Sequence, residues 1–238
     1  IEEDNYFFKF SGYQNKLLQL YKDNQTFVRP EGKYKEIVAW AESGLKDFSI
    51  SRLKSKLPWG VSVPGDETQV MYVWFDALVN YISTLGWPDN EIRFREFWPG
   101  VQIAGKDNLR QQAAMWQAML LSAGLLPSKQ ILINGFISID GQKMSKSLGK
   151  VISPQDMVKR YGVDGTRYLL MNLGPVGEDM DVSWGKFDTV YNADLANGLG
   201  NLVARIAKLA EQSGAEFSNE EFKYLRQMLE SYRFDEGL

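Results

Sequence analysis

Two lysines and two serines stand within five residues, in the stretch KMSKS at 143–147. Ammonium groups and hydroxyls are hydrogen-bond donors for phosphate oxygens. Lysines on a pliable segment, here flanked by Gly141 and Gly149, can approach late in a reaction, when negative charge builds on a departing group. They then stabilise the transition state more than the ground state. The competing interpretation is a solvated surface loop. The predicted elements on either side of the segment help to distinguish these two interpretations.

The neighbouring elements place this loop between a strand and a helix. QILI at 130–133 reads as a short apolar strand. After the loop, Ser153 is the predicted N-cap of a helix, Pro154 its first residue and Gly162 its end. A second helix is predicted over 164–173. The lysines therefore lie at the carboxyl end of a strand.

Strands and helices alternate upstream of the loop. The predicted order is a strand buried on both faces at 70–75, a helix at 76–86, a strand at 101–104, a helix at 109–124 and the strand at 130–133. This alternation predicts an α/β fold with a parallel sheet. Ligands of such sheets bind beyond the carboxyl ends of the strands.

Helices are predicted at both ends of the chain. Near-helical spacing of apolar residues indicates one or two amphipathic helices over 5–24 and another over 33–43. A long amphipathic helix is predicted over 187–211 and a further one over 218–233. The composition becomes all-helical from about residue 176.

The amino-acid composition excludes several kinds of catalytic and metal-binding site. The 238 residues include no cysteine and no histidine, and the net charge is −3. Disulfides, histidine bases and Cys/His zinc sites are therefore excluded within this sequence. The absence of cysteine fits a reducing cytoplasm, where we expect the protein to act. Attack of a carboxylate on the α-phosphorus of ATP needs no base, so it is compatible with this composition.

Several motifs resemble one family. KMSKS, followed by SPQDMVKRYGVDGTRYLL, resembles the second signature of class I aminoacyl-tRNA synthetases. Four other stretches are similar to methionyl-tRNA synthetases in particular: ISR…LPWGVSVPGD at 50–66, MYVWFDALVNYISTLGW at 71–87, AGKDNLRQQAAMWQAM at 104–119 and NADLANGLGNLVARI at 192–206. Their order along nearly the whole chain strengthens the resemblance.

The resemblance implies a fold and a function. The fold would be the second half of a parallel-sheet, Rossmann-like catalytic domain followed by a truncated helical bundle. The function would be methionine–tRNA ligation with methionine, ATP, Mg²⁺ and tRNA-Met. The upstream signature that contacts ATP and the family's zinc-bearing insertion are not matched, so we expect no zinc site in this chain and little or no activity from it alone.

The resemblance also divides the chain into four parts. Residues 1–48 correspond to the end of a connective insertion, and 49–135 to the second half of the catalytic domain. Residues 136–176 correspond to the lysine loop with stem-contact helices, and 177–238 to the start of the anticodon-binding bundle.

The resemblance assigns a methionine pocket to one stretch. The implied pocket residues are Trp74, Ala77, Leu78, Tyr81, Asn108 and Gln112. A flat indole and small apolar neighbours suit a polarizable thioether. From the residues alone, Trp74 and Tyr81 read as core aromatics. Asn108 stands where the family usually has an apolar residue, and Gln112 where it usually has histidine.

The implied ATP contacts lie on two segments. They are Gly105, Asp107, Asn134, Lys143, Met144, Ser145, Lys146 and Ser147, with Lys143 and Lys146 as the catalytic pair. Gly105 would let the backbone approach the nucleotide. Asp107 would accept hydrogen bonds from the ribose hydroxyls. A helix N-cap is the alternative for Asp107.

Asn201 and Arg205 lie four residues apart on one predicted helix face. The resemblance implies that they read the first anticodon base. Two alternatives stay open: a sister class I synthetase for leucine, valine, isoleucine or cysteine, and a tRNA-binding module without catalysis.

Overall fold

The computed structural model describes residues 4–144 and 151–213, together with Gln227, Glu230 and Ser231; for Lys143 it describes only the backbone. The chain divides into two compact units, residues 1–133 and 134–238. Each unit is treated by itself below. Within the described residues, no helix has the length and apolar character needed to cross a bilayer.

The first unit combines short strands with helices. Its described strands are β1 (Phe7–Phe8), β2 (Val28–Arg29), β3 (Phe48–Ser49), β4 (Ser51–Leu53), β5 (Ser62–Val63), β6 (Asp66–Met71), β7 (Val101–Gly105) and β8 (Gln130–Asn134). Its described α-helices are α1 (Gln14–Asp23), α2 (Glu31–Glu42), α3 (Val73–Ala77), α4 (Asn80–Ser83), α5 (Glu91–Phe97) and α6 (Trp116–Ser122). Two 3₁₀ turns (Phe10–Tyr13, Lys106–Asn108) and a π-helical turn (Gln111–Met115) complete it.

The predicted α/β fold with a parallel sheet is confirmed. Strands β2, β8 and β7 form one sheet in that order, and β2 pairs parallel to β8 with Val28 opposite Ile131. Helices α1 and α2 pack on this sheet through Leu17, Tyr21 and Ile37, all fully buried. The predicted strands 101–104 and 130–133 are β7 and β8.

The predicted strand over 70–75 is confirmed only for Val70 and Met71, and the rest of it is wrong. Strand β6 ends at Met71 and pairs antiparallel with β4 and β5, and α3 begins at Val73. The helix predicted over 76–86 is instead two short helices, α3 and α4. Trp74 and Phe75 pack against the buried cluster around Leu78 and Trp116 from a helical turn. Packing of these aromatics overrides their preference for strands.

The predicted helix over 5–24 is also wrong in its first half. Phe7 and Phe8 form β1, which pairs antiparallel with β3, and α1 begins only at Gln14. Phe8 lies against the rings of Tyr13 and Phe48, with centroids 5.4 and 5.6 Å apart. The contact with Phe48, which is far along the chain, favours an extended segment. The other predicted N-terminal helix is α2.

The second unit holds a small sheet and three helices among its described residues. They are β9 (Ile137–Ile139), β10 (Gln142–Lys143), β11 (Met180–Val182), α7 (Pro154–Met171), α8 (Trp184–Val190) and α9 (Asn201–Ser213), with a π-helical segment Tyr191–Gly200 between the last two. β10 pairs antiparallel and β11 parallel with β9. A buried cluster forms around Ile139, Tyr161 and Phe187.

The predicted cap and end of the first helix of this unit are confirmed, whereas β11 lies in the part of the chain that was predicted to be all-helical. The Ser153 side chain accepts a hydrogen bond from the Asp156 N–H, and Pro154 is the first residue of α7. Gly162, with φ 72°, interrupts α7 where the first helix was predicted to end. The helix predicted over 218–233 lies outside the described residues at all but three positions. The four-part division and the truncated bundle stay predictions.

Candidate active site

One polar pair lies within an apolar cluster of the first unit. The Gln112 Nε2 group donates a hydrogen bond to the Tyr81 hydroxyl at 3.0 Å. Gln112 is buried, and the Tyr81 ring lies 6.1 Å from the Trp116 ring. Trp74 and Leu78 pack in the same cluster. The fold therefore brings together four of the six residues assigned to the methionine pocket.

The remaining two pocket residues differ in their surroundings. Ala77 is exposed at the last residue of α3. Asn108 is half-buried, and its amide lies 3.4 Å from a carboxylate oxygen of Asp107.

A local irregularity of the helix presents Gln112. It lies in the π-helical turn Gln111–Met115, which precedes α6. Such turns shift a side chain relative to a regular helix and recur at functional sites. Gln112 Oε1 and Trp116 Nε1 are buried without a hydrogen-bond partner among the described residues. Buried polar atoms without a partner are uncommon in native folds, so both atoms call for an explanation.

The segment after β7 carries an exposed carboxylate. Gly105 is the last residue of β7, and Asp107 lies in the 3₁₀ turn Lys106–Asn108. Gly105 stands at the N-cap position of this turn, and Asp107 Oδ1 accepts a hydrogen bond from the Asn108 side-chain amide at 3.4 Å. Its carboxylate is exposed. A carboxylate in this position can accept hydrogen bonds from vicinal hydroxyls.

Asn134 ends β8 and is half-buried. The next residue must be glycine, because a Cβ on Gly135 would lie 1.9 Å from the carbonyl oxygen of Glu178. The Phe136 N–H donates to Asp179 at 2.9 Å. The chain is thus held tightly against residues 178–179 just before the hairpin that leads to the lysines.

That hairpin is formed by β9 and β10. Asp140 and Gly141 form its turn, with φ values of 50° and 73°. Positive φ at both central residues is the geometry for which Asp-Gly is favoured, because glycine has no Cβ to clash. Lys143 pairs with Ser138 across the hairpin. Ser145, Lys146 and Ser147 lie outside the described residues.

Asp181 on β11 anchors the hairpin. Its Oδ1 accepts hydrogen bonds from the Gly141 N–H at 2.6 Å and the Ser138 hydroxyl at 2.8 Å, and Lys186 Nζ lies 3.1 Å from Oδ2. Hydrogen bonds to the ionised carboxylate lower the pKa of Asp181 to about 2. The largest contribution comes from the Gly141 N–H, and the next largest come from the Ser138 hydroxyl and the Lys186 ammonium. The carboxylate is therefore ionised at neutral pH and its charge is held on the turn.

Both sides of the lysine loop are fixed in one cluster. Met144 is half-buried and packs against the core of the second unit, which also contains Ile152. Met144 was assigned to ATP binding from the sequence, whereas its described contacts are with this core.

The predicted anticodon residues lie on α9. Asn201 and Arg205 are both exposed. Four apolar residues of α9, Leu202, Val203, Ile206 and Leu209, are also 45–64% exposed. Upstream, Asp194 accepts hydrogen bonds from Tyr168 at 3.0 Å and Asn172 at 3.1 Å, which ties the π-helical segment to α7.

Sequence reasoning missed a set of buried polar residues behind Gln112. Gln117 is fully buried in α6, and Gln102 and Ser128 are 5% exposed. The one sequence signal was a glutamine within the otherwise apolar run AAMWQAML. An amide in such a run is costly unless it finds partners in the folded chain.

Comparison with known proteins identifies a family. The family model described as tRNA synthetases class I (M) matches residues 1–207. The methionine–tRNA ligase of Brucella suis biovar 1 is 49% identical over 206 residues, and that of Mesorhizobium japonicum is 45% identical over 214. These alignments cover 86% and 90% of this chain, but only 40% and 41% of the relatives.

Comparison with solved structures identifies the same family. The crystal structure of Mycobacterium tuberculosis methionyl-tRNA synthetase bound by methionyl-adenylate has a TM-score of 0.88 and 35% identity to this chain. It is matched over all of this chain and half of its own length. The free-state structure of that enzyme gives a TM-score of 0.85 at 33% identity. The chain belongs to the methionyl-tRNA synthetase family of class I tRNA synthetases.

Proposed function

We propose that this chain is part of the catalytic core of an ATP-dependent methionine–tRNA ligase. The observation that carries the proposal is the Gln112–Tyr81 hydrogen bond within the apolar cluster that includes Trp74. It occurs in a family member whose solved neighbour binds methionyl-adenylate.

The polar pair explains a preference for a thioether. Because Tyr81 accepts the Gln112 N–H, its own hydroxyl proton is available to a second acceptor. The sulfur of methionine is a weak acceptor, whereas the side chains of leucine, isoleucine and valine have none. Trp74, Ala77 and Leu78 supply apolar contacts to the rest of the side chain, and Asn108 borders the pocket. Shape and this hydrogen bond together would select methionine.

Activation then proceeds at the α-phosphate of ATP. A methionine carboxylate oxygen forms a bond to the α-phosphorus, and the bond from that phosphorus to pyrophosphate breaks. The carboxylate is already deprotonated, so no base is required, which suits a site without histidine. Lys143 and Lys146, with Ser145 and Ser147, stabilise the charge on the departing pyrophosphate. The Met144 main chain contributes to the same contact.

The nucleoside is held by the strand ends. Asp107 accepts hydrogen bonds from the ribose hydroxyls, and Gly105 allows the backbone to approach the nucleotide. Asn134 offers its side-chain amide to the nucleotide as a hydrogen-bonding group. Mg²⁺ enters with ATP, and the proposal includes no zinc site. In the second step, a terminal ribose hydroxyl of tRNA-Met attacks the methionyl carbonyl and AMP leaves. Asn201 and Arg205 present an amide and a guanidinium to an unstacked anticodon base.

The test is pyrophosphate exchange by the complete gene product. Methionine is expected to support ATP–pyrophosphate exchange, and leucine, isoleucine, valine and cysteine are expected not to. Exchange that depends on one of these four instead of methionine would establish a sister synthetase. Specific binding of tRNA with a CAU anticodon in the absence of any exchange would establish a tRNA-binding module. The isolated chain of 238 residues is expected to show little or no exchange.

A further inference from the structure

We propose that Gln117 is a positioning residue, which sets the affinity for methionine by holding the π-helical turn that carries Gln112. The inference rests on the proposed function. It concerns a residue that does not contact the substrate and acts through the backbone of another.

The Gln117 side chain reaches back along its own helix. Its Nε2 group donates to the backbone carbonyl oxygen of Gln112 at 2.7 Å, five residues earlier. The carbonyls of a π-helical turn are displaced from the regular i to i+4 pattern. A side-chain donor at this carbonyl therefore stabilises the irregular turn rather than a regular helix.

The other bonds of Gln117 fix its own position. Its Oε1 accepts the Ser128 N–H at 2.9 Å, and its Nε2 lies 3.1 Å from the Ser128 hydroxyl oxygen. The Ser128 hydroxyl in turn donates to Gln102 on β7 at 2.5 Å. The turn is thus tied to the segment before β8 and to a neighbouring strand. These side chains carry no charge.

The network ends at the pair that faces the substrate. The Gln112 backbone is fixed by Gln117, and the Gln112 amide fixes the Tyr81 hydroxyl at 3.0 Å. An apolar side chain of similar volume would avoid the cost of burying an amide at Gln117. The hydrogen bonds of the amide, however, specify one arrangement of the π-helical turn. A shift of the Gln112 backbone therefore moves the amide that donates to the Tyr81 hydroxyl.

The experiment replaces the amide while keeping the volume. In the complete gene product, Gln117→Met is expected to raise KM for methionine by about tenfold, the size of one lost buried hydrogen bond. kcat and KM for ATP are expected to change less than about twofold, because the chemistry and the nucleotide contacts do not involve this turn. Gln19→Met, on the exposed face of α1, is the matched control and should change none of the three.

A double-mutant cycle separates positioning from general stability. If Gln117 acts through Gln112, the double variant Gln117→Met with Gln112→Met should resemble Gln112→Met alone in its KM for methionine. Additive effects, or equal losses in all kinetic constants, would contradict the proposal. Should Gln117→Met fail to fold, Ser128→Ala removes one partner of Gln117, and the same selective rise in KM is expected at smaller size.

The proposed function can fail separately. A wild-type protein without methionine-dependent exchange overturns the proposed function. A crystal structure of Gln117→Met then decides the positioning inference by itself. Loss of the hydrogen bond from Gln112 to Tyr81 supports the inference, and its retention at the wild-type distance overturns it.

Discussion

The side-chain amide of Gln112 donates a hydrogen bond to the hydroxyl oxygen of Tyr81, 31 residues away in the sequence. The pair lies against the indole of Trp116, in a cluster of otherwise apolar side chains. A neutral pair of this kind orients one hydroxyl proton without placing a charge in the cluster. Two consequences can be measured.

The first consequence concerns the sulfur of methionine. Tyr81→Phe removes the hydroxyl and keeps the ring, so it should lower the preference for methionine over norleucine by about 2- to 10-fold. Norleucine has a methylene in place of the sulfur and loses nothing when the hydroxyl is removed. The measurement is kcat/KM for each amino acid in pyrophosphate exchange. An unchanged ratio would show that the Tyr81 hydroxyl does not contact the sulfur.

The second consequence concerns pH. Glutamine does not titrate, so KM for methionine in the wild type should not change between about pH 6 and 8 through this pair. Gln112→His introduces a group whose ordinary pKa is about 6.5, and burial opposes its protonation. KM of the variant should therefore rise as pH falls below about 6.5, when an imidazolium would have to enter the apolar cluster. A rise in KM centred at or above about pH 6.5 would argue against burial of residue 112.

The ionised Asp181 carboxylate predicts a second pH effect, on stability. Its folded pKa of about 2 lies below the unfolded value of about 3.9. Its stabilising contribution is then complete above about pH 4 and is lost as pH falls toward 2. Asp181→Asn should lower the free energy of unfolding at pH 7, and the difference from wild type should shrink between pH 4 and 2. Urea titrations at pH 7, 5 and 3 measure it.

The control for this titration is Asp89→Asn, which removes one exposed carboxylate from the first unit. A wild-type minus Asp181→Asn difference that is constant from pH 7 to pH 3 would mean that the charge of Asp181 does not stabilise the hairpin. A difference that grows as pH falls would likewise mean that the charge of Asp181 does not stabilise the hairpin.

Local signals in the sequence predicted local structure well. The Ser153 cap, the break at Gly162 and the strands β7 and β8 depend on residues a few positions apart, and each lies where it was predicted. The helical turn at Trp74 was missed because its cause is packing against residues far along the chain. Long-range contacts of this kind leave no periodic trace in the sequence.

Only part of the candidate site could be predicted from the sequence, for the same reason. Trp74 and Tyr81 read as core aromatics until the family resemblance gave them a role, and the fold places both at one cluster. The buried amide of Gln117 was not singled out, because its partners at Gln112 and Ser128 become neighbours only through the π-helical turn and the return of the chain toward β8. Residue types alone could not have paired them.

The exposed face of α9 gives a prediction for tRNA. Arg205 is exposed and can offer two parallel N–H groups to a base edge, so Arg205→Ala should weaken binding of tRNA with a CAU anticodon by about 5- to 100-fold. Binding of tRNA with a changed first anticodon base should be weakened much less. Lys208→Ala, also exposed on α9, removes the same charge and should act equally on both tRNAs. Filter binding with the complete gene product measures all four combinations.

The lysine loop gives the last prediction, on catalysis. Lys146→Ala should lower methionine-dependent pyrophosphate exchange by about 100- to 1,000-fold, mainly in kcat, because the ammonium is needed when charge develops on pyrophosphate. Lys150→Ala removes the same charge four residues on and should retain exchange within about threefold. If the Lys146→Ala protein exchanges pyrophosphate at the wild-type rate, the loop is a solvated surface segment and the charge on the leaving group is stabilised elsewhere. Equal losses in both variants would indicate that only the net charge of the loop matters, through attraction of ATP.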